Sequence, residues 1–278
     1  MSDRQFVFTM TTGRSGTASL AEFLGANLPD AQCHHEFFGW DQFGLNTPEL
    51  SHMTLFNSQG NIEKVQAFWR QKLARIAESP TRFYVETSHV LMKAGLMENL
   101  ALLTKVGHVH LVNLHRDAIG TIKSFRARAD FLNKGNMWLW YLDPDYPRNL
   151  CNARELAKLG INGICLWYIA EVRLRAAFYE KLLSGNPNVR VHHIAMDDLT
   201  QPAGALSLLA GLGIGKQQAE LIMPPAKNVG PKTFNWGAGE EEQLRKWVAA
   251  AEFDAPALAE MAIKQGLGFE PAPPATPS

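Results

Sequence analysis

The chain has no excess of charge of either sign. Against 27 Lys plus Arg stand 27 Asp plus Glu in 278 residues, a formal net charge of zero. A general binder of nucleic acid or of anionic membrane carries a basic excess, so that class is excluded. One small anion held by a few well-placed residues is not. No run of about 18 apolar residues occurs, which leaves no membrane-spanning helix. Met1 to Gln5 is polar and the apolar stretch after it is too short for a signal peptide, so the expected location is the cytoplasm. Cysteine is scarce: Cys33, Cys151 and Cys165 show no CxxC spacing and imply neither a disulfide framework nor a zinc site. What is there, 46% apolar and 19% charged residues, is the composition of an ordinary globular domain long enough to bury a sizeable core.

Short apolar runs alternate with helical periodicity along most of the chain. Strands are predicted at 6–10, 83–85, 108–114 and 189–194, and helices after Gly16 and at 65–76, 95–103, 117–129 and 161–183. Strands alternating with helices give an α/β fold, a three-layer α/β/α sandwich around a central parallel sheet. One domain is expected over residues 1–270, followed by a disordered Pro-rich tail at 271–278. Two segments, 37–61 and 130–160, lack a clear period, are dotted with aromatics, and are too long to be mere connections.

In a parallel α/β sheet, ligands sit at the C-terminal ends of strands. The first such end reads Thr11-Thr12-Gly13-Arg14-Ser15-Gly16-Thr17-Ala18. Two glycines let the backbone fold tightly, so that several N–H groups and a helix N-terminus face one anion. Arg14 adds a cationic fork, and Ser15 and Thr17 add hydroxyls. A Walker A loop needs GxxxxGK[ST]; here two residues separate the glycines and no lysine follows Gly16. The plainer reading is a strand-to-helix turn with a solvated arginine.

The stretch TTGRSGTASL resembles the 5′-phosphosulfate loop of the sulfotransferases that use 3′-phosphoadenosine 5′-phosphosulfate (PAPS). Its RSGT form is similar to the bacterial and Golgi-type branches. The resemblance implies a P-loop-NTPase-like fold, PAPS as donor and its desulfated product PAP. It also implies that Thr12, Gly13, Arg14, Ser15, Gly16, Thr17 and Ala18 wrap the 5′-phosphate. A second family motif, an Arg at a strand end and a Ser eight residues on, is matched by Arg116 and Ser124 and implies a 3′-phosphate site. Met196-Asp197-Asp198-Leu199, with Pro202 beyond, resembles a late structural stretch of the family. Lys227-Asn228-Val229-Gly230-Pro231-Lys232 resembles a shortened form of the loop that closes over the 3′-phosphate. Taken singly, Lys227 and Lys232 read as surface lysines. One departure is Ser19, where cytosolic members carry a tryptophan that stacks on adenine.

Sulfuryl transfer, like phosphoryl transfer, depends on positioning and charge stabilisation, so no metal is expected and Arg14 is a catalytic candidate. An acceptor hydroxyl benefits from a general base. Cys33-His34-His35-Glu36 offers Glu36 first and His35 next, with His34 and His35 pointing opposite ways in an extended segment. Glu86-Thr87-Ser88-His89, at the end of the second predicted strand, offers His89 and Glu86, in a position where cytosolic relatives carry KTH. A metal site at His34, His35 and Glu36 is the lesser use of that cluster. The expected partner is a small-molecule or glycan hydroxyl acceptor (sugar, alcohol or phenol). Competing readings are a catalytically inactive nucleotide-binding relative and a P-loop-type nucleotide kinase.

Overall fold

A computed structural model of the chain describes residues 4–37, 50–132, 140–215, 217–225, 236–237 and 239–250. Five strands, β1 (Gln5–Met10), β2 (Ala31–His35), β3 (Phe83–Thr87), β4 (His108–His115) and β5 (Val189–Ala195), form one sheet in the order β2-β3-β1-β4-β5. Every pairing is parallel. The period of two in the strands sorts their side chains between two cores. Phe6, Phe8 and Met10 join Tyr84, Val109 and Leu111 on one face, whereas Val7 joins Phe83, Val85, Val112 and Leu114 on the other. All six residues of β1 are buried, because a central parallel strand is covered on both faces.

Seven helices of ten or more residues are seen among the described residues: α1 (Thr17–Asn27), α2 (Leu50–Gln59), α3 (Glu63–Ala77), α4 (Ala118–Ala127), α5 (Gly160–Leu183), α6 (Pro202–Gly211) and α7 (Glu240–Ala250). Leu20, Phe23 and Leu24 of α1 pack with Leu208 and Leu209 of α6 on one side of the sheet. Trp69 of α3, Phe125 of α4 and Trp167 and Tyr168 of α5 build the larger core on the other. The result is the three-layer α/β/α arrangement.

Several local expectations are corrected. β2 is a fifth strand that apolar patterning missed, since its sequence AQCHH is polar and half-buried at the sheet edge. Its parallel pairing with β3, not its own hydrophobicity, defines it. Within 37–61, residues 50–59 are helical, and within 130–160 a helical turn spans Arg154–Ala157. The helix expected at 95–103 is instead a chain of short turns, Leu91–Ala94, Met97–Asn99 and Ala101–Thr104. Residues 251–278, including the expected tail, lie outside the described residues.

The strand order reverses at β1: the chain leaves it for the β3–β2 side and later crosses to β4 on the other. Open α/β sheets bind ligands at the crevice such a reversal leaves between C-terminal strand ends. Here the crevice is lined by Thr11, Thr12, Asn113, Arg116, Thr121 and Arg173, among others.

Candidate functional site

The turn from β1 into α1 is pinned from below. The Thr11 hydroxyl donates to the Leu114 carbonyl of β4, and the buried Ser15 hydroxyl donates to the Thr12 carbonyl at 2.7 Å. Gly16, which opens α1, has φ 99°, and a side chain there would collide with the Met196 sulfur. Only glycine combines that left-handed backbone with so close an approach. At Gly13 a Cβ would lie 2.9 Å from the Tyr141 ring and 3.4 Å from His89, so this glycine keeps the aromatic floor tight.

Arg14 sits between the glycines at φ 66°, and Glu36, just past β2, at φ 44°. Left-handed non-glycine residues are uncommon and cluster at functional sites, where the surrounding fold holds them. Two of the four in the described chain are candidate residues, one in each half of the site.

The first half is cationic. Arg14 Nε donates to Ser124 Oγ at 3.0 Å, and Arg116 Nη1 donates to the Arg14 carbonyl at 3.2 Å. The loop and the β4–α4 junction are thereby one unit. Asp117 caps α4 by accepting from the Gly120 amide, which leaves Arg116 at the strand end with Ser124 two turns into the helix. Arg173 of α5, absent from the sequence reading, reaches in and donates to the Arg116 carbonyl at 3.2 Å. Nothing in its own helix singles it out; only the packing of α5 over β4 brings it there. Two other cations on α4 are neutralised: Arg126 pairs with Glu240 and Lys123 with Glu241, both at 2.9 Å.

The second half is built on the ends of β2 and β3. The ladder continues one residue beyond β2, where the Glu36 amide donates to the Thr87 carbonyl at 3.0 Å. His35 and His34 diverge. His35 Nδ1 lies 3.2 Å from the Thr87 carbonyl, while His34 stacks on Phe37 with ring centroids 4.1 Å apart. That divergence removes the metal reading of the cluster, and no group of three or more His, Cys, Asp and Glu is placed to hold a metal among the described residues.

Glu36 Oε1 lies 3.4 Å from His89 Nε2 and Glu36 Oε2 lies 3.9 Å from His35 Nε2. Burial raises the Glu36 carboxyl above its ordinary value, with His35, Lys93 and Arg14 pulling it back. A raised carboxyl is a better proton acceptor once ionised. Burial, then the charges of Lys93, His35 and Arg14, push His89 well below the ordinary histidine value, so the ring is neutral. It stacks on Tyr141 at 5.3 Å between centroids.

Glu86, the neighbouring candidate, is no part of this group. It is fully buried on the sheet, bonded to Lys72 at 2.7 Å and to the Tyr84 hydroxyl at 3.0 Å. The thiols offer no nucleophile either, since burial pushes Cys33 up to about 11 and Cys151 and Cys165 to about 12. Lys227, Asn228 and Lys232 lie outside the described residues.

No family model and no curated protein matches the chain. Among solved structures it is similar to a sulfotransferase from Alicyclobacillus acidocaldarius, at 16% identity and TM-score 0.46, covering 94% of this chain and 96% of that one. The sulfotransferase domain of the Synechococcus PCC 7002 olefin synthase matches at 14% identity and TM-score 0.46, over 94% of each chain. The sulfotransferase domain from the curacin biosynthetic pathway matches at 16% and 0.44, over 97% of this chain and 99% of that one. Likenesses this distant carry no functional weight, which falls on the site's own residues.

Proposed function

We propose that this chain is a sulfotransferase that moves a sulfuryl group from PAPS to a hydroxyl acceptor. The observation that carries the reading is that one strand-to-helix loop has two arginines and Ser124 on one side and a carboxylate–imidazole pair on the other. Arg14 touches Ser124, Arg116 touches the Arg14 backbone, and Glu36 faces His89 beside the same loop. In this reading the turn from Thr12 to Ala18 holds the 5′ end of the donor and Arg116 with Ser124 its 3′-phosphate. Glu36 takes the acceptor hydroxyl proton as the oxygen attacks sulfur. The bond between sulfur and the 5′-phosphate oxygen breaks, and the negative charge it leaves on PAP is stabilised by Arg14 and the loop amides. A nucleotide triphosphatase is disfavoured by the missing Walker lysine.

Thermal-shift titration with PAPS, PAP, ATP and GTP separates the readings. PAP and PAPS should stabilise the chain; stabilisation by ATP or GTP alone would overturn the proposal. Arg116→Ala should weaken PAP binding about tenfold or more, the worth of a charge-assisted contact. Glu36→Gln should bind PAP normally, yet lower sulfate gain on an accepted hydroxyl by about 10²–10⁴-fold, read by mass spectrometry. Normal turnover in that variant would move the base elsewhere.

A further inference from the structure

Lys93 is fully buried, and no motif pointed to it. It lies in the turn Leu91–Ala94, one helical turn beyond His89, and its Nζ reaches the His89 ring. Three polar partners surround it: the Trp140 carbonyl at 2.6 Å and the Tyr168 hydroxyl at 2.7 Å accept from it, and His89 Nδ1 lies 3.0 Å away. An ammonium has three N–H groups and no lone pair, so in its charged form Lys93 donates to all three. No carboxylate among the described residues is bonded to it. Burial and the neighbouring charge of Arg175 lower its pKa well below the ordinary lysine value, and Glu36 opposes them.

The consequence falls on His89. A neutral imidazole carries one proton, and the hydrogen bond at one nitrogen decides which nitrogen holds it. If Lys93 donates to Nδ1, the proton must sit on Nε2, the atom 3.4 Å from Glu36. We propose that Lys93 is a positioning residue that holds His89 in its Nε2–H tautomer, with that N–H on the Glu36 side of the ring, so that Glu36, not His89, receives the acceptor proton. The second part of this statement rests on the sulfotransferase reading; the tautomer does not. Tyr168 extends the device to the phosphate loop, because its hydroxyl accepts from the Gly13 amide as well as from Lys93. Other groups facing the pair are His35 from β2, Arg14 from the loop, Tyr141 against the ring and Arg175 from α5.

The test uses histidine labelled with ¹⁵N in the full chain and reads the two ring nitrogens of His89 by long-range proton–nitrogen correlation, assigned with His89→Gln. The wild type should show a protonated Nε2 and an unprotonated Nδ1 throughout the neutral range. In Lys93→Met the pattern should change to a mixture or to Nδ1–H, and Lys93→Gln, which retains a neutral donor, should restore part of it. A wild-type ring protonated at Nδ1 overturns the proposal, whether or not any variant folds, and so does a Lys93→Met spectrum identical to wild type. On an accepted hydroxyl, kcat in Lys93→Met should fall about 10- to 100-fold, part of the general-base contribution, with KM for PAPS unchanged. A rise in KM with unchanged kcat would mark Lys93 as a packing residue. Failure of the sulfotransferase reading would show as no PAP binding while leaving the nitrogen spectrum intact.

Discussion

Two lysines flank β3, both buried, and they are held in opposite ways. Lys72 of α3 meets the Glu86 carboxylate directly at 2.7 Å, with the Tyr84 hydroxyl donating to the other oxygen. Lys93 meets three uncharged partners, and the Glu36 carboxylate lies on the far side of the His89 ring. In the first cluster opposite charges cancel at contact and nothing is left over for a ligand. In the second a buried amine lies under an imidazole and a part-exposed carboxylate at the strand ends. Proximity of a Lys, a His and a Glu is therefore weak evidence of a site; the discriminating feature is whether the carboxylate is closed off, as Glu86 is, or left part-exposed, as Glu36 is.

The comparison breaks most sharply at Lys72. Desolvation lowers its pKa, and Glu86 opposes that with both charge and hydrogen bond. Lys72→Met leaves Glu86 buried without its counter-charge, and removing one partner of such a pair costs about 3–5 kcal/mol. Chemical denaturation should show that loss, and adding Glu86→Leu should recover most of it. PAP affinity of the folded fraction should not change. A loss below about 1 kcal/mol would mean that the pair is wetter than its burial indicates.

A third contact carries the comparison to a pair with no formal charge. His110 Nδ1 and His192 Nε2 are 2.8 Å apart, and His110 Nε2 lies 2.7 Å from Gln5 Oε1. Burial, then the neighbouring His192, Arg190 and His108, lower His110 from 6.5 to about 3. A folded pKa below the unfolded one means that the unfolded chain binds the proton more readily. The stability contributed is present in full above 6.5 and is lost as pH falls from there toward about 3. At about pH 4.5 the loss should be roughly 2–3 kcal/mol relative to neutral pH. In His110→Phe, urea unfolding at both pH values should show a pH dependence smaller by that amount. An unchanged dependence would place the titration in other groups.

The reading of the sequence succeeded where local chemistry and fold agree. β1 carries a short apolar run and β4 is buried through its middle because both faces of a central strand are covered, and Gly16 stands out because a left-handed, closely packed strand-to-helix turn needs it. It failed where identity comes from a neighbour. The edge strand AQCHH has almost no apolar pattern, and LSHMTLFNSQ in α2 is too polar to announce a helix. Lys93, Tyr168 and Arg173 reach the site from a short turn and from the middle of a long helix. Their spacing along the chain is that of ordinary core or surface residues. Glu86 illustrates the converse: motif position marked it, and only the Lys72 contact removes it.

The smallest stability effect is expected at Lys93, and it sharpens the comparison more than the larger ones. Lys93→Met deprives the Trp140 carbonyl and the Tyr168 hydroxyl of a donor, a loss of about 1–3 kcal/mol for unsatisfied buried groups. Against that, a desolvated charge and its repulsion with Arg175 disappear, and methionine fills most of the vacated volume. Glu36 is not stranded, since its side chain is 23% exposed and also faces His35. The net change should be about 1 kcal/mol or less by urea denaturation, several-fold below that of Lys72→Met. If the two variants lost equal stability, Lys93 would be a strut like Lys72, and its place beneath His89 would be a matter of packing. If Lys93→Met is nearly neutral for stability while turnover falls, the fold tolerates this buried amine for its effect on the ring above it.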